Sequence, residues 1–148
     1  MRDLPHPSSG PELPLWNSYA CEVITFLTEE GYEASLDDEG DVFFVHDGLP
    51  CVISTWEADP AYFRLASLSL RTIENESDRF RVYEAATYVH NHFKMGRILV
   101  DDHEVFADVT AFLPSEGTWR DVFYRHLRAL LVISASFLEH MRAQWEAQ

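Results

Sequence analysis

Basic residues are scarce in this chain. Lys and Arg number 11 against 25 Asp and Glu, which gives 148 residues a formal net charge of −14 at pH 7. Such an excess of negative charge repels phosphate backbones and anionic lipid headgroups. We therefore expect neither nucleic acid nor a membrane surface as a partner. A basic segment of another protein remains compatible with this charge, because charge complementarity speeds the encounter of two proteins.

Cysteines and long apolar runs are also few. The two cysteines, Cys21 and Cys51, fall in a predicted amphipathic helix and a predicted buried strand, where we expect inert core thiols and not a disulfide. The first residues do not have the charged and apolar regions of a secretion signal. The longest apolar run, 129–138, is far shorter than the roughly 20 residues that cross a bilayer. We therefore expect a cytoplasmic protein.

Signatures of catalysis and of metal binding are missing from the sequence. It has no P-loop, GxSxG, GxGxxG or SxxK pattern, and its carboxylates fall in predicted turns, termini and solvent-facing positions. His90 and His92 are two residues apart on a predicted helix, so their side chains point about 200° apart. No CxxC or HExxH motif accompanies them. We therefore expect no enzymatic activity, no metal site and no bound cofactor.

The sequence does contain a clear succession of helix and strand patterns. After a Pro-rich leader, 1–14, apolar residues at three- and four-residue spacing predict a helix that ends at Gly31. Short runs of β-branched and aromatic residues, joined by polar turns, then predict four strands. A second helix capped by Asn75, a hairpin, and a long last helix capped by Thr118 follow. The predicted strands are 32–36, 42–46, 51–56, 62–70, 96–100 and 105–112, and the second helix spans 75–93.

The order of these elements, α-β-β-β-β-α-β-β-α, defines the fold class. Hairpins grouped between helices predict an antiparallel sheet and the α+β class, whereas a βαβ Rossmann arrangement is excluded. Residues 15–148 have the size of one domain, and the 47% hydrophobic content is sufficient for a single core. We therefore expect one domain behind the leader.

The last predicted helix is apolar on more than one side. One side packs on the sheet, while Leu131, Val132 and Leu138 lie on another side that needs its own cover. That cover is either the core of a monomer or a second subunit, and homodimers are the commonest soluble oligomers. We therefore expect a homodimer, with these three residues as candidate contacts.

The strands at 42–46 and 51–56 carry apolar side chains on both faces. Phe43 and Val45 point away from the face to which Val42 and Phe44 belong. Three helices cover one face of a sheet of this size, so the second face is left to a protein partner, to the last helix or to the leader. Phe43, Val45 and Trp56 are the candidate contacts of a partner.

Several stretches of the sequence resemble the bacterial YbjN family. They are Leu-Thr-Glu-Glu-Gly-Tyr at 27–32, the hairpin Asp-Glu-Gly-Asp-Val-Phe-Phe at 38–44, and Asn-His-Phe-Lys at 91–94 before Ile-Leu-Val-Asp at 98–101. The resemblance runs from about residue 16 to about residue 141 and includes no catalytic signature. It implies a fold similar to type III secretion chaperones, which are small acidic proteins that dimerise and hold partner segments against an open sheet. It also implies a role in regulating sensory transduction or stress responses.

Two functions are compatible with these patterns. The first is a homodimeric protein-binding domain, chaperone-like or regulatory, whose apolar surface gives affinity while its acidic surround attracts basic segments. The second is a small-molecule sensor or an enzyme with a pocket between the sheet and the helices. Arg64, Arg97, Trp56 and His126 are the predicted lining of that pocket.

Overall fold

The computed structural model describes residues 17–56 and 58–146, and the predicted leader, 1–14, lies outside them. The described residues form three helices and seven strands, and every strand pair is antiparallel. The α+β class and the predicted order are confirmed, with one additional strand of two residues before the second helix. The elements are α1 (Ser18–Glu29), β1 (Ser35–Leu36), β2 (Val42–His46), β3 (Leu49–Ile53), β4 (Tyr62–Ser67), β5 (Arg71–Thr72), α2 (Glu76–His92), β6 (Arg97–Val100), β7 (Glu104–Phe112) and α3 (Trp119–Glu146).

The strands form one curled sheet in the order β1-β2-β3-β4-β7-β6, and β5 pairs with β7 beyond the point where β4 ends. The link between β2 and β3 is the two-residue turn Asp47-Gly48, with φ of 48° and 79°. Both residues of a type I′ turn need positive φ, which Asp and Gly tolerate. This turn fixes His46 opposite Leu49 and thereby sets which side chains share a face of the sheet.

The ends of α1 and α2 follow the local signals in the sequence. The side chain of Asn75 accepts a hydrogen bond of 2.8 Å from the backbone N–H of Asp78 at the start of α2. Gly31 follows α1 with φ of 94°, and the N–H of Tyr32 donates to the carbonyl oxygen of Leu27 at 2.8 Å. This is the Schellman arrangement, which requires left-handed backbone at the glycine. Both boundaries therefore agree with the prediction to within a residue.

The core lies between the helices and one face of the sheet, the inner face. The ring of Trp119 meets Phe26 edge-on at a centroid distance of 5.0 Å and stacks on Phe63 at 6.4 Å. These contacts join α1, β4 and α3, because each ring comes from a different element. The largest fully buried side chains are Trp119, Phe44, Phe63, Phe123, Phe137, Leu27, Ile53, Leu65, Leu127, Leu130, Ile133 and Val23.

The two cysteines are both free, and they differ in burial. Cys51 is buried as predicted, and burial raises the pKa of its thiol to about 12. Cys21 is exposed on α1, so the prediction of a core thiol is wrong at this position. The buried side of α1 runs through Ala20, Val23 and Leu27, and one residue after Ala20 the helix has turned its side chain outward.

The ends of α3 differ from the prediction in two details. The hydroxyl of Thr118 donates to the carbonyl oxygen of Ser115 at 2.7 Å, and no N–H of the described part of α3 donates to that hydroxyl oxygen, so Thr118 is not the predicted cap. The helical spacing of apolar residues from Trp119 to Trp145 predicts one buried stripe along α3. Trp145 is instead 58% exposed, and its neighbour is the Arg81 guanidinium of α2, 4.8 Å from the ring centroid. Within the described part of the chain, α3 and the other helices lack the length or apolarity to cross a membrane.

Candidate protein-binding surface

The face of the sheet turned away from the core, the outer face, lies opposite the helices. Phe43 and Val45 alternate with fully buried residues of β2, so both point to this face. The cross-strand register places Val52, Ala66 and Asp108 in one row with Phe43, across β3, β4 and β7. Two predicted contacts, Phe43 and Val45, therefore lie on one continuous surface.

Part of the outer face is apolar and open to solvent. Val45 is 46% exposed and Leu68 is 43% exposed, while Phe43, Leu99 and Phe106 are half-buried. Single exposed apolar side chains are ordinary on soluble proteins, whereas a contiguous group of them marks an interaction site. Trp56, the third predicted contact on this part of the chain, is exposed just after β3 ends.

The curl of the sheet forms a cavity of about 510 Å³ on the outer face. Its floor includes Val52, Leu68, Leu99 and Phe106, which come from four different parts of the sheet. The turn between β1 and β2, residues 37–41, contributes four carboxylates to the same cavity. The arrangement is an apolar depression with a negatively charged rim.

A break between β4 and β5 shapes this cavity. β4 ends at Ser67, whose hydroxyl accepts a 2.9 Å hydrogen bond from the N–H of Ala107, and pairing resumes at Arg71. The sequence pattern predicts one unbroken strand over 62–70 with Ser67 opposite its apolar side, which is wrong. Ser67 is buried because its hydroxyl satisfies a backbone N–H that the break leaves unpaired. The break also places Leu68 on the surface.

Asp108 forms a charge cluster with two arginines on the outer face. Its carboxylate is fully buried and accepts hydrogen bonds from Nε of Arg64 at 2.9 Å and from Nε and Nη2 of Arg97 at 2.9 and 2.6 Å. The bidentate hydrogen bond to Asp108 raises the pKa of Arg97. Because the carboxylate is surrounded by donors from β4 and β6, the cluster ties both strands to β7.

The alternative site predicted from the sequence is not assembled. Arg64 and Arg97 lie on the outer face, whereas His126 is buried in α3 under the inner face, with its ring 5.3 Å from that of Phe63. Burial lowers the pKa of His126, which favours the neutral ring. Trp56 is exposed. The four residues therefore do not line one pocket, because the sheet separates the arginines from the histidine.

The edges of the sheet offer little room for an added strand. β1 has only two residues, and on β6 the N–H of Ile98 donates to Nε2 of His90 at 3.0 Å. An unpaired strand edge is otherwise a template for another chain. The contact also means that His90 carries its proton on Nδ1 when it accepts this bond. These features favour binding on the face of the sheet over addition at its edge.

The predicted contacts on α3 lie on the other side of the molecule. Leu131 is partly buried, while Val132 and Leu138 are 41% and 37% exposed. Tyr124, Leu131 and Leu138 are spaced seven residues apart, so they share one side of the helix. The structure thus places Phe43 and Val45 on the outer face of the sheet and Leu131, Val132 and Leu138 on the helical layer, while Trp56 lies in the loop after β3.

An exposed aromatic surface on α2 is not among the predicted contacts. Phe80, Tyr83 and Tyr88 are exposed and border a cavity of about 560 Å³ between α2 and α3. The ring of Tyr88 lies between those of His92 and His140, at centroid distances of 3.9 and 4.6 Å. The signal was present in the sequence, because Phe80, Tyr83 and Tyr88 fall outside the buried stripe of α2 at helical spacing of their own.

Comparison with known proteins adds one finding about the fold. No family model matches the chain, and no curated protein matches it. The structure is similar to the crystal structure of YbjN from E. coli, named there as a candidate transcription regulator, with a TM-score of 0.62 and 11% sequence identity. The match covers 84% of this chain and 92% of that chain. The TM-score shows a shared fold, and an identity of 11% carries no information about activity. The chain has a YbjN-like fold.

Proposed function

We propose that this chain is a non-enzymatic protein-binding domain, chaperone-like or regulatory, that works in the cytoplasm as a homodimer. The observation that carries the proposal is the outer face, an apolar and partly exposed surface with a cavity, lying opposite the helical layer. Burial of apolar surface is the dominant driving force of most protein association. The naming of YbjN as a candidate regulator supports a binding role for the shared fold.

The two apolar surfaces have different partners in this proposal. The outer face holds a segment of another protein, while the side of α3 with Leu131 and Leu138 contacts a second copy of the chain. This division is supported by their positions on opposite sides of the sheet, which allow both contacts at once. A dimer of this kind presents two outer faces. When one segment of a partner is bound to the first face, a second segment of the same partner binds the other face at a raised effective concentration.

Substitution of Val45 by aspartate is the test of the binding role. Wild-type chain and the Val45→Asp variant are used as bait in extract of the native cell, and captured proteins are quantified by mass spectrometry. Because a buried charge at an interface costs about 2 kcal/mol or more, we expect at least about a tenfold loss of the specific partner. Val45 is already exposed, so the fold is retained, which circular dichroism checks.

The matched control for this experiment is Ser77→Asp, which adds the same charge at an exposed position in the first turn of α2. An acidic residue is favourable there because of the helix dipole. The control is expected to capture the partner as wild type does. Equal capture by Val45→Asp would show that the outer face is not the binding surface.

The homodimer is tested by sedimentation of the purified chain over a range of concentrations. We expect a dimer for wild type and for Val45→Asp, and a monomer for the double variant Leu131→Asp, Leu138→Asp, because two charges in an apolar interface lack partners. A wild-type chain that remains monomeric at every concentration contradicts the homodimer. A dimer that survives the double variant but dissociates with Tyr83→Asp assigns the interface to α2.

A further inference from the structure

The rim carboxylates of the outer-face cavity fall into two functional pairs. Asp37 accepts hydrogen bonds of 2.9 Å from the N–H groups of Glu39 and Asp41, and Asp41 accepts one of 3.0 Å from the N–H of Thr55. Asp37 and Asp41 therefore hold the turn in place. Asp38 and Glu39 are exposed, and their carboxylates take no part in these turn hydrogen bonds. This second pair is available to a ligand.

The rim has a strong excess of negative charge. Arg64 also borders the cavity, but its Nε is committed to the carboxylate of Asp108. Burial, reinforced by the nearby charge of Asp37, raises the pKa of Asp41 despite the opposing effects of the Thr55 hydrogen bond and the Arg64 charge. A raised carboxyl pKa indicates that the ionised carboxylate is energetically unfavourable beside apolar surface. A cationic group bound at the rim stabilises that carboxylate.

The floor of the cavity has the opposite character. Leu68, Leu99 and Phe106 line the same cavity as the charged turn and present apolar side chains to it. An acidic small molecule or a nucleotide is repelled by such a rim, and a purely cationic one leaves the floor exposed to water. The occupant that matches both parts carries positive charge and apolar side chains close together.

Resting on the proposed function, we propose that this cavity selects a polypeptide segment of another protein in which lysine or arginine side chains adjoin apolar ones. The apolar side chains pack on Leu68 and Phe106, and the basic side chains reach the carboxylates of Asp38 and Glu39. A volume of about 510 Å³ accommodates several side chains, not a folded domain. The net charge of −14 draws such segments toward the chain from a distance.

The test uses the full chain and three synthetic peptides of equal length, which alternate leucine with arginine, serine or glutamate. Affinities are measured by fluorescence anisotropy at low and at near-physiological salt. We expect the leucine-arginine peptide to bind about tenfold more tightly than the leucine-serine peptide, and the leucine-glutamate peptide to bind most weakly. The advantage of arginine should shrink as salt rises, because the rim is exposed.

Two double variants test whether the preference for arginine comes from the rim of the cavity. The change Asp38→Asn, Glu39→Gln leaves the turn hydrogen bonds of Asp37 and Asp41 intact and is expected to remove the preference for arginine. The control Glu84→Gln, Glu139→Gln removes the same charge from exposed positions on α2 and α3 and should leave the preference unchanged. An equal loss in both variants overturns the proposal, because the attraction then comes from overall charge and not from the rim.

The remaining outcomes distinguish a failure of the selection for basic residues from a failure of the protein-binding role. Leu68→Ser is expected to weaken the leucine-arginine and leucine-serine peptides alike, because it removes part of the floor. If the two peptides bind equally and both depend on Leu68, the outer face binds polypeptides but the selection for basic residues is wrong. If none of the peptides binds, both the basic selection and the cavity as a polypeptide site are contradicted.

Discussion

Replacing Asp108 by asparagine is expected to lower the free energy of unfolding by about 3 kcal/mol. The side chain keeps its volume but loses the charge that Arg64 and Arg97 share, and its amide cannot accept at both positions. Two guanidinium groups are then left close together without a counter-charge. The expected loss in the free energy of unfolding is at the lower end of the range for a broken buried ion pair, because both arginines are partly solvated. Urea denaturation followed by circular dichroism measures it.

Arg97→Gln is the control for this prediction. The Arg97 side chain is half exposed, and its removal leaves Asp108 paired with Arg64, so we expect a loss of only about 1 kcal/mol or less. A difference between the two variants identifies the buried carboxylate as the centre of the cluster. Equal destabilisation by Asp108→Asn and Arg97→Gln would contradict this description of the outer face.

Trp119→Ala is expected to destabilise the fold by about 3–5 kcal/mol. Trp119 is fully buried at the start of α3 and contacts rings from α1 and β4, so its removal opens a cavity where three elements meet. This cost is a large fraction of the about 5–15 kcal/mol that stabilises a typical domain. Thermal and urea denaturation of the variant, compared with wild type, give the magnitude.

Trp145→Ala supplies a matched comparison on the same helix. Trp145 is exposed and contacts the Arg81 guanidinium, so its removal should cost about 1 kcal/mol or less. The sequence pattern places both tryptophans on one apolar stripe, and only their surroundings distinguish them. If the two substitutions cost the same, the packing described for the start of α3 is wrong.

Much of the fold can be predicted from the sequence, because it depends on local chemistry. The Asp47-Gly48 turn, the Asn75 cap and the Gly31 helix end each depend on a residue type that few other residues can replace at that position. Alternation along β2 likewise separates Phe43 and Val45 from the buried residues. These signals act within a few residues, so the sequence alone expresses them.

The candidate site is less predictable, because it depends on how distant strands meet. The cavity forms where the β1–β2 turn approaches β6 and β7, and the break after Ser67 is supported by Ala107, forty positions along the chain. The alternation along β7 separates Phe106 from the buried residues, but only the curl of the sheet brings it close to Asp38. Pairing of Arg64 and Arg97 through Asp108 is likewise a consequence of register.

In the proposed function, the outer face of the sheet holds a segment of another protein. Site-specific photo-crosslinking in the native cell tests it most directly, with a photoreactive side chain at Val45 in one variant and at the exposed Val132 of α3 in another. We expect crosslinks from position 45 to a different protein and from position 132 to a second copy of the chain at most. Crosslinks to other proteins from position 132 alone, with none from position 45, would contradict it.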